Sequence, residues 1–180
     1  MKHLPVLQGT RVILRAMGPA DADAMFQSLS NIEIMRLTGS HGDFTLSQVQ
    51  KFCEQVASDD DRADFVITLS SDPATPRGEV VLNNIDRDNR ACNFRISLYD
   101  EADFGQGMGS EATQLILQYG FDVLGLHRIE LEVYAFNSRA IRSYEKVGFT
   151  REGIRRDALL WDGEYVDAIC MSILRHEFKV

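Results

Sequence analysis

A chain of 180 residues, 44% apolar and 26% charged, has the composition of one soluble globular domain spanning residues 1–180, able to bury a core without metals or disulfides. Its net charge of −8 argues against a nucleic-acid binder and is compatible with a cationic substrate, although solubility alone also explains it. Met1 to Thr10 lacks a signal-type apolar segment and no run approaches the roughly 20 residues of a bilayer span, so a cytoplasmic protein with no membrane role is expected.

Thr10 to Arg15 is β-branched and short, which predicts a strand. Gly18-Pro19-Ala20-Asp21 predicts the start of a helix reaching about Ser30, with Pro19 near its first turn, and a second helical piece covers Asn31 to Leu37. Gly39 to Asp43 reads as a loop. Thr45 reads as the cap of a helix ending near Ser58, and Asp59 to Asp61 as a solvated turn. Three strands are expected next, at Asp64 to Leu69, Gly78 to Ile85 and Ala91 to Tyr99.

From Gly107 to Val123 the period changes. Ala112, Leu115, Ile116, Tyr119 and Val123 share one helical face. Arg128 to Tyr134 alternates as a strand, Asn137 to Val147 is a short helix, and Gly148 ends it. Phe149 to Leu160 and Tyr165 to Leu174 form two long strands joined through Asp162-Gly163, a hairpin dipeptide. The order predicts an α+β domain around one mostly antiparallel sheet.

Cys53, Cys92 and Cys170 are far apart, form no CxxC pair, and combine with no histidine at zinc-ligand spacing, so no metal is expected. The most informative segment is Phe104-Gly105-Gln106-Gly107-Met108-Gly109-Ser110-Glu111-Ala112, between a strand and a long helix. Alternating glycines bring backbone amides close to a ligand, and the helix N-terminus adds unpaired N–H groups and a positive dipole end. That is an anion site suited to a pyrophosphate, or else a flexible loop before an ordinary cap. A Walker loop is excluded because no lysine follows, and a Rossmann fingerprint because the glycines fall at 105, 107 and 109.

This loop resembles the acetyl-CoA loop of the GNAT superfamily of N-acetyltransferases, with Phe104 where the usual pattern begins with Gln or Arg. The run Leu126-His127-Arg128, Val133-Tyr134, Asn137, Ala140, Tyr144-Glu145-Lys146 and Gly148-Phe149 resembles the RimJ/RimL-type branch and is also similar to spermidine N-acetyltransferases. Glu152-Gly153 and Asp162 to Tyr165 continue it, and Arg11 to Arg15 looks like the usual first strand.

The resemblance implies a GNAT fold whose sheet splays at the acetyl-CoA site. Backbone groups of Ile96, Ser97 and Leu98 would pair with the pantetheine arm, and the loop from Phe104 and Gly105 through Gln106, Gly107, Met108 and Gly109 to Ser110 would hold the pyrophosphate. Asn137 and Ala140 would lie against the cofactor; Arg139, Arg142 and Lys146 would approach the adenosine end, or be solvated helix charges. The implied reaction is acetyl transfer to an amine, either a peptide N-terminal α-amine or a small amine. A polyamine acceptor is the alternative, and a non-catalytic CoA-binding module stands behind both.

By spacing alone, Tyr144 is an inward-facing tyrosine of the kind that fills a core. With the resemblance it becomes the general acid for the departing thiolate. At ordinary pKa values of about 10 and 8.5 that transfer is uphill by roughly 2 kcal/mol. The Leu98 amide becomes the oxyanion donor. Asn93 stands where relatives often have Glu and cannot accept a proton, which leaves Glu33, Glu79 and Glu132 as candidate bases and tilts the acceptor toward a low-pKa amine. Trp161 and Tyr165 line the acceptor pocket or simply pack the hairpin. A homodimer is implied by resemblance only.

Overall fold

The computed structural model describes residues 4–179, whose secondary structure follows the predicted order closely. A two-residue strand β1 (Leu7–Gln8) precedes β2 (Val12–Ala16); it pairs Leu7 with Leu14 and is too short to show a period. The first helix is divided. Pro19–Asp21 is a 3-10 turn, and α1 (Ala22–Ser28) follows because Asp21 is buried, bonded by Arg15 at 2.6 and 2.9 Å and by the Gly18 amide. Helix α2 (Ile32–Thr38) is capped by the Asn31 side chain. Helix α3 (Leu46–Val56) opens with a capping box between Thr45 and Gln48.

Strands β3 (Ala63–Leu69), β4 (Gly78–Asp86) and β5 (Ala91–Leu98) form an antiparallel meander. A 3-10 turn at Glu101–Asp103, unforeseen in the sequence, leads into α4 (Met108–Asp122). Then come β6 (Arg128–Tyr134), α5 (Ser138–Val147), β7 (Thr150–Trp161) and β8 (Glu164–Leu174). Asp162 and Gly163 both have positive φ, 50° and 81°, as a two-residue hairpin turn requires.

The strands make one sheet in the order β1-β2-β3-β4-β5-β6-β8-β7. Every neighbouring pair is antiparallel except β5 and β6. Alternation along the strands sends Val12, Leu14, Phe65, Ile67, Val80, Leu82 and Phe94 to one face, where α4 and α5 bury them with Ile116, Leu117 and Ile141. On the opposite face, Val66 packs with Met17, Met25, Val49 and Cys53 under α1 and α3. Both faces of β3 are therefore covered.

The parallel pair is the feature that matters. Strands β5 and β6 keep register only at Ala91–Arg128, Cys92–Ile129 and Asn93–Glu130. Beyond Asn93, β5 stays with β4 and β6 stays with β8, so the sheet opens into a seam.

Candidate active site

The direction of each β5 amide follows from one hydrogen bond. The Tyr99 N–H donates to the Arg77 carbonyl at 2.9 Å, so alternate residues Ser97 and Arg95 also turn their backbone groups toward β4. On the other side, the Arg90 carbonyl accepts from His127 of the β6 edge. By the same alternation, the backbone groups of Phe94, Ile96 and Leu98 face the seam, where β6 has departed. Two alternate anchor points, Ile96 and Leu98, thus present to the opening main chain that no neighbouring strand pairs. Ser97 lies between them with its backbone turned to β4, and its residue still lines the cavity.

The seam opens into a cavity of about 800 Å3. Phe104, Gly105, Gly107, Gly109 and Ser110 form one wall. Gly105 and Gly107 have φ of 74° and 82°, a region that side-chain-bearing residues avoid, and Gly107 is the N-cap of α4. Gln106 and Met108 do not line the cavity with their side chains. The Gln106 amide donates to the Ala102 carbonyl at 2.6 Å, and Met108 is buried in the core.

Helix α5 supplies the facing wall. Asn137 caps it by accepting from the Ala140 N–H at 3.2 Å, and both residues border the cavity. Arg139 lies 3.7 Å over the Phe104 ring, and Arg142 and Lys146 follow it along the same wall. The Ser110 and Ser143 hydroxyls meet at 2.9 Å and tie α4 to α5. One end of the cavity therefore combines a helix N-terminus with three cationic side chains, Arg139, Arg142 and Lys146.

Tyr144 borders the cavity with its ring edge-on to Phe94 at 5.9 Å and tilted against Phe149 at 5.8 Å. Its hydroxyl has no hydrogen-bond partner among the described residues. Burial pushes its pKa well above the ordinary tyrosine value, so the hydroxyl is protonated in the free protein.

Of the candidate bases, Glu132 alone reaches the cavity, where Arg155 holds its carboxylate. Glu33 pairs with Arg36 at 3.0 Å on α2, and Glu79 is buried against Arg95 at 3.1 Å; neither lines the cavity. Trp161 packs on His41 of the loop between α2 and α3, with ring centroids 5.1 Å apart, and Tyr165 is exposed; neither lines the cavity. Cys92 is a buried thiol pushed up to about 12, inert as a nucleophile.

Sequence reasoning missed part of the wall beside the seam. Glu130 and Glu152 share Arg128, which holds the Glu152 carboxyl down to about 2, and both border the cavity. Asn83, whose buried side-chain oxygen has no hydrogen-bond partner among the described residues, also lines the cavity, as do Ile34, Leu37 and Thr38 of α2. Residue order gives no signal for these, because they meet only when β4, β6, β7 and α2 come together around the seam. Among the described residues no cluster of His, Cys, Asp and Glu is arranged to hold a metal, and no helix is long and apolar enough to cross a membrane.

An opened parallel pair, with a glycine-rich helix N-terminus at its mouth, is the architecture of an enzyme that moves an acetyl group from acetyl-CoA to an amine. The chain belongs to the GNAT acetyltransferases: the model of the acetyltransferase (GNAT) domain matches residues 11–150. It is 29% identical to spermidine N(1)-acetyltransferase of Escherichia coli (strain K12), over 93% of this chain and 88% of that one. It is 27% identical to the prophage-derived N-acetyltransferase YokL of Bacillus subtilis (strain 168), over 96% and 94% of the two chains. The spermidine N-acetyltransferase of Vibrio cholerae, solved in complex with CoA and spermine, superposes with a TM-score of 0.87 at 25% identity, over 94% of this chain and 98% of that one. The protein is accordingly an acetyl-CoA-dependent N-acetyltransferase with a GNAT fold.

Proposed function

We propose that this enzyme acetylates a small, polyamine-type primary amine by direct attack on the thioester, with Tyr144 as general acid. The observation that carries the acceptor class is the carboxylate wall beside the seam. Glu130, Glu132 and Glu152 line it, while Arg128 and Arg155 neutralise only part of that charge. The similarity to spermidine acetyltransferases over nearly the whole chain supports the same class.

The residues fit acetyl-CoA. The seam-facing main chain of Ile96 and Leu98 offers the pantetheine a strand edge, and the Gly105 to Ser110 amides with Arg139, Arg142 and Lys146 offer the phosphates a cationic end. The amine lone pair forms the new C–N bond at the thioester carbon. The Leu98 N–H stabilises the oxyanion, and collapse breaks the C–S bond. The Tyr144 hydroxyl gives its proton to the sulfur, and the proton lost by the nitrogen returns through solvent. No acyl-enzyme forms, so none of the cysteines is needed.

A peptide N-terminal α-amine is the second reading, favoured by Asn93. No carboxylate stands at that position, and an α-amine with pKa about 8 needs less help to deprotonate than one near 10.4. The test is acetyl-CoA-dependent thiol release across spermidine, spermine, free amino acids and peptides starting with Ala, Ser, Met and Asp. Turnover confined to the polyamines establishes the first reading, and turnover confined to peptides the second. Tyr144→Phe, run alongside, should lower kcat by roughly 100-fold or more with little change in the KM for acetyl-CoA. An unchanged kcat would remove Tyr144 from the chemistry.

A further inference from the structure

Behind the glycine loop, on the side away from the cavity, lies a contact between distant parts of the chain. The turn joining β1 to β2 is wrapped around the side chain of Glu111, in the first turn of α4. One Glu111 carboxylate oxygen accepts from the Arg11 N–H at 2.9 Å and from the Val12 N–H at 3.3 Å, and the other lies 3.7 Å from the Arg11 Nε. Gly9 leaves room for this, since a Cβ there would stand 2.4 Å from the same carboxylate oxygen. The Arg11 guanidinium then reaches across and donates from Nη2 to the Gln106 carbonyl at 2.9 Å. Arg11 also lies against Gly107, where a Cβ would stand 2.8 Å from Nη2.

We propose that Arg11 is a positioning residue for acetyl-CoA: anchored on Glu111, it fixes the Gln106 carbonyl so that the loop amides keep the shape that receives the pyrophosphate. Arg11 borders a separate groove with Thr10, Ser70 and Gln106 and does not line the main cavity, so it acts through the loop and not on the ligand. The geometry explains why the loop needs an external tie. Gly105 and Gly107 give it its left-handed turns and equally leave it free to leave them, at an entropic cost that binding would otherwise bear. A hydrogen bond from a charged donor to the carbonyl between the two glycines removes that freedom beforehand.

This inference rests on the reading that the loop holds the pyrophosphate, and the test separates the two. Steady-state kinetics would be measured with acetyl-CoA and with S-acetylpantetheine, which carries the same thioester and no pyrophosphate, for the full-length wild type, Arg11→Met and Arg11→Lys. The wild type should prefer acetyl-CoA strongly in kcat/KM. Arg11→Met should raise the KM for acetyl-CoA by roughly fivefold while kcat, and kcat/KM with S-acetylpantetheine, stay unchanged. Arg11→Lys, which keeps one donor, should recover part of the loss. Equal losses with both donors, or no loss with either, overturn the positioning role. A wild type without preference for acetyl-CoA overturns the pyrophosphate reading itself.

Discussion

Tyr144 and Glu79 show how one physical term, removal from water, has opposite uses in this protein. At Tyr144 burial opposes the phenolate, so the hydroxyl stays protonated, and in the proposed acid role its transfer to a thiolate is more uphill than for an ordinary tyrosine unless the bound cofactor stabilises the phenolate. At Glu79 burial also opposes the charge, raising the pKa; Arg95 pulls it down and Asp64 pushes it further up. A carboxyl whose folded pKa lies above its unfolded value binds its proton more tightly in the folded state. Stability is therefore greatest below the unfolded pKa and falls as pH rises through the folded one. Glu79→Gln removes the ionisation and leaves Arg95, which is 59% exposed, to solvent. The variant should be more stable than wild type at pH 8, and its advantage should shrink steadily toward pH 4.5; denaturant unfolding at several pH values measures this. Retained acetyltransferase activity would show that Glu79 is not the base, while lost activity would restore it to the mechanism.

Strand β5 joins the core to the chemistry, and Gly78 fixes its position. Gly78 lies opposite Leu98, and a Cβ there would stand 2.4 Å from the Ser97 carbonyl and 3.0 Å from the Leu98 Cα. Both contacts are backbone, so Gly78→Ala must push the two strands apart at Leu98, the proposed oxyanion donor. The expected result is a loss of roughly 1–3 kcal/mol of stability together with a fall in kcat, read from unfolding curves and steady-state rates. Undiminished kcat in a folded variant would argue against Leu98. The direction of the β5 amides gives a second check: acetyl-CoA should slow hydrogen exchange at Ile96 and Leu98 more than at Ser97, whose amide already faces β4.

Most of these elements were legible in the sequence because their periods are long and their punctuation is chemical: the Thr45 cap, the Asp162-Gly163 turn and the apolar face of α4 from Ala112 to Tyr119, although Val123, read onto the same face, caps the helix and is exposed. The glycine loop was legible because φ-permissive residues alternate immediately before a helix. The two-residue β1 was hidden by its length. Glu130, Glu152 and Asn83 were hidden because a strand pattern says which side a residue takes, not which strand lies beside it. The seam itself came from resemblance, since no local pattern marks the residue at which β6 stops pairing with β5.

The molecule as a whole is a sheet held shut at one end of a seam and open at the other. Three register pairs join β5 to β6, and the halves on either side are otherwise united by the core that α4 and α5 share. In the proposed binding mode acetyl-CoA would replace missing main-chain partners and bridge α4 to α5 through its phosphates, so its binding should stabilise the whole fold. At a hundredfold excess over Kd that linkage is worth about 2.7 kcal/mol, which for a chain of this length is roughly 6–10 °C in Tm. Scanning calorimetry with acetyl-CoA, S-acetylpantetheine and inorganic pyrophosphate at equal free concentration separates the contributions. Acetyl-CoA should exceed either fragment, because only the intact molecule spans both the seam and the loop. If pyrophosphate alone gave the full shift, the loop would be the entire binding site, and the opened strands would need another explanation.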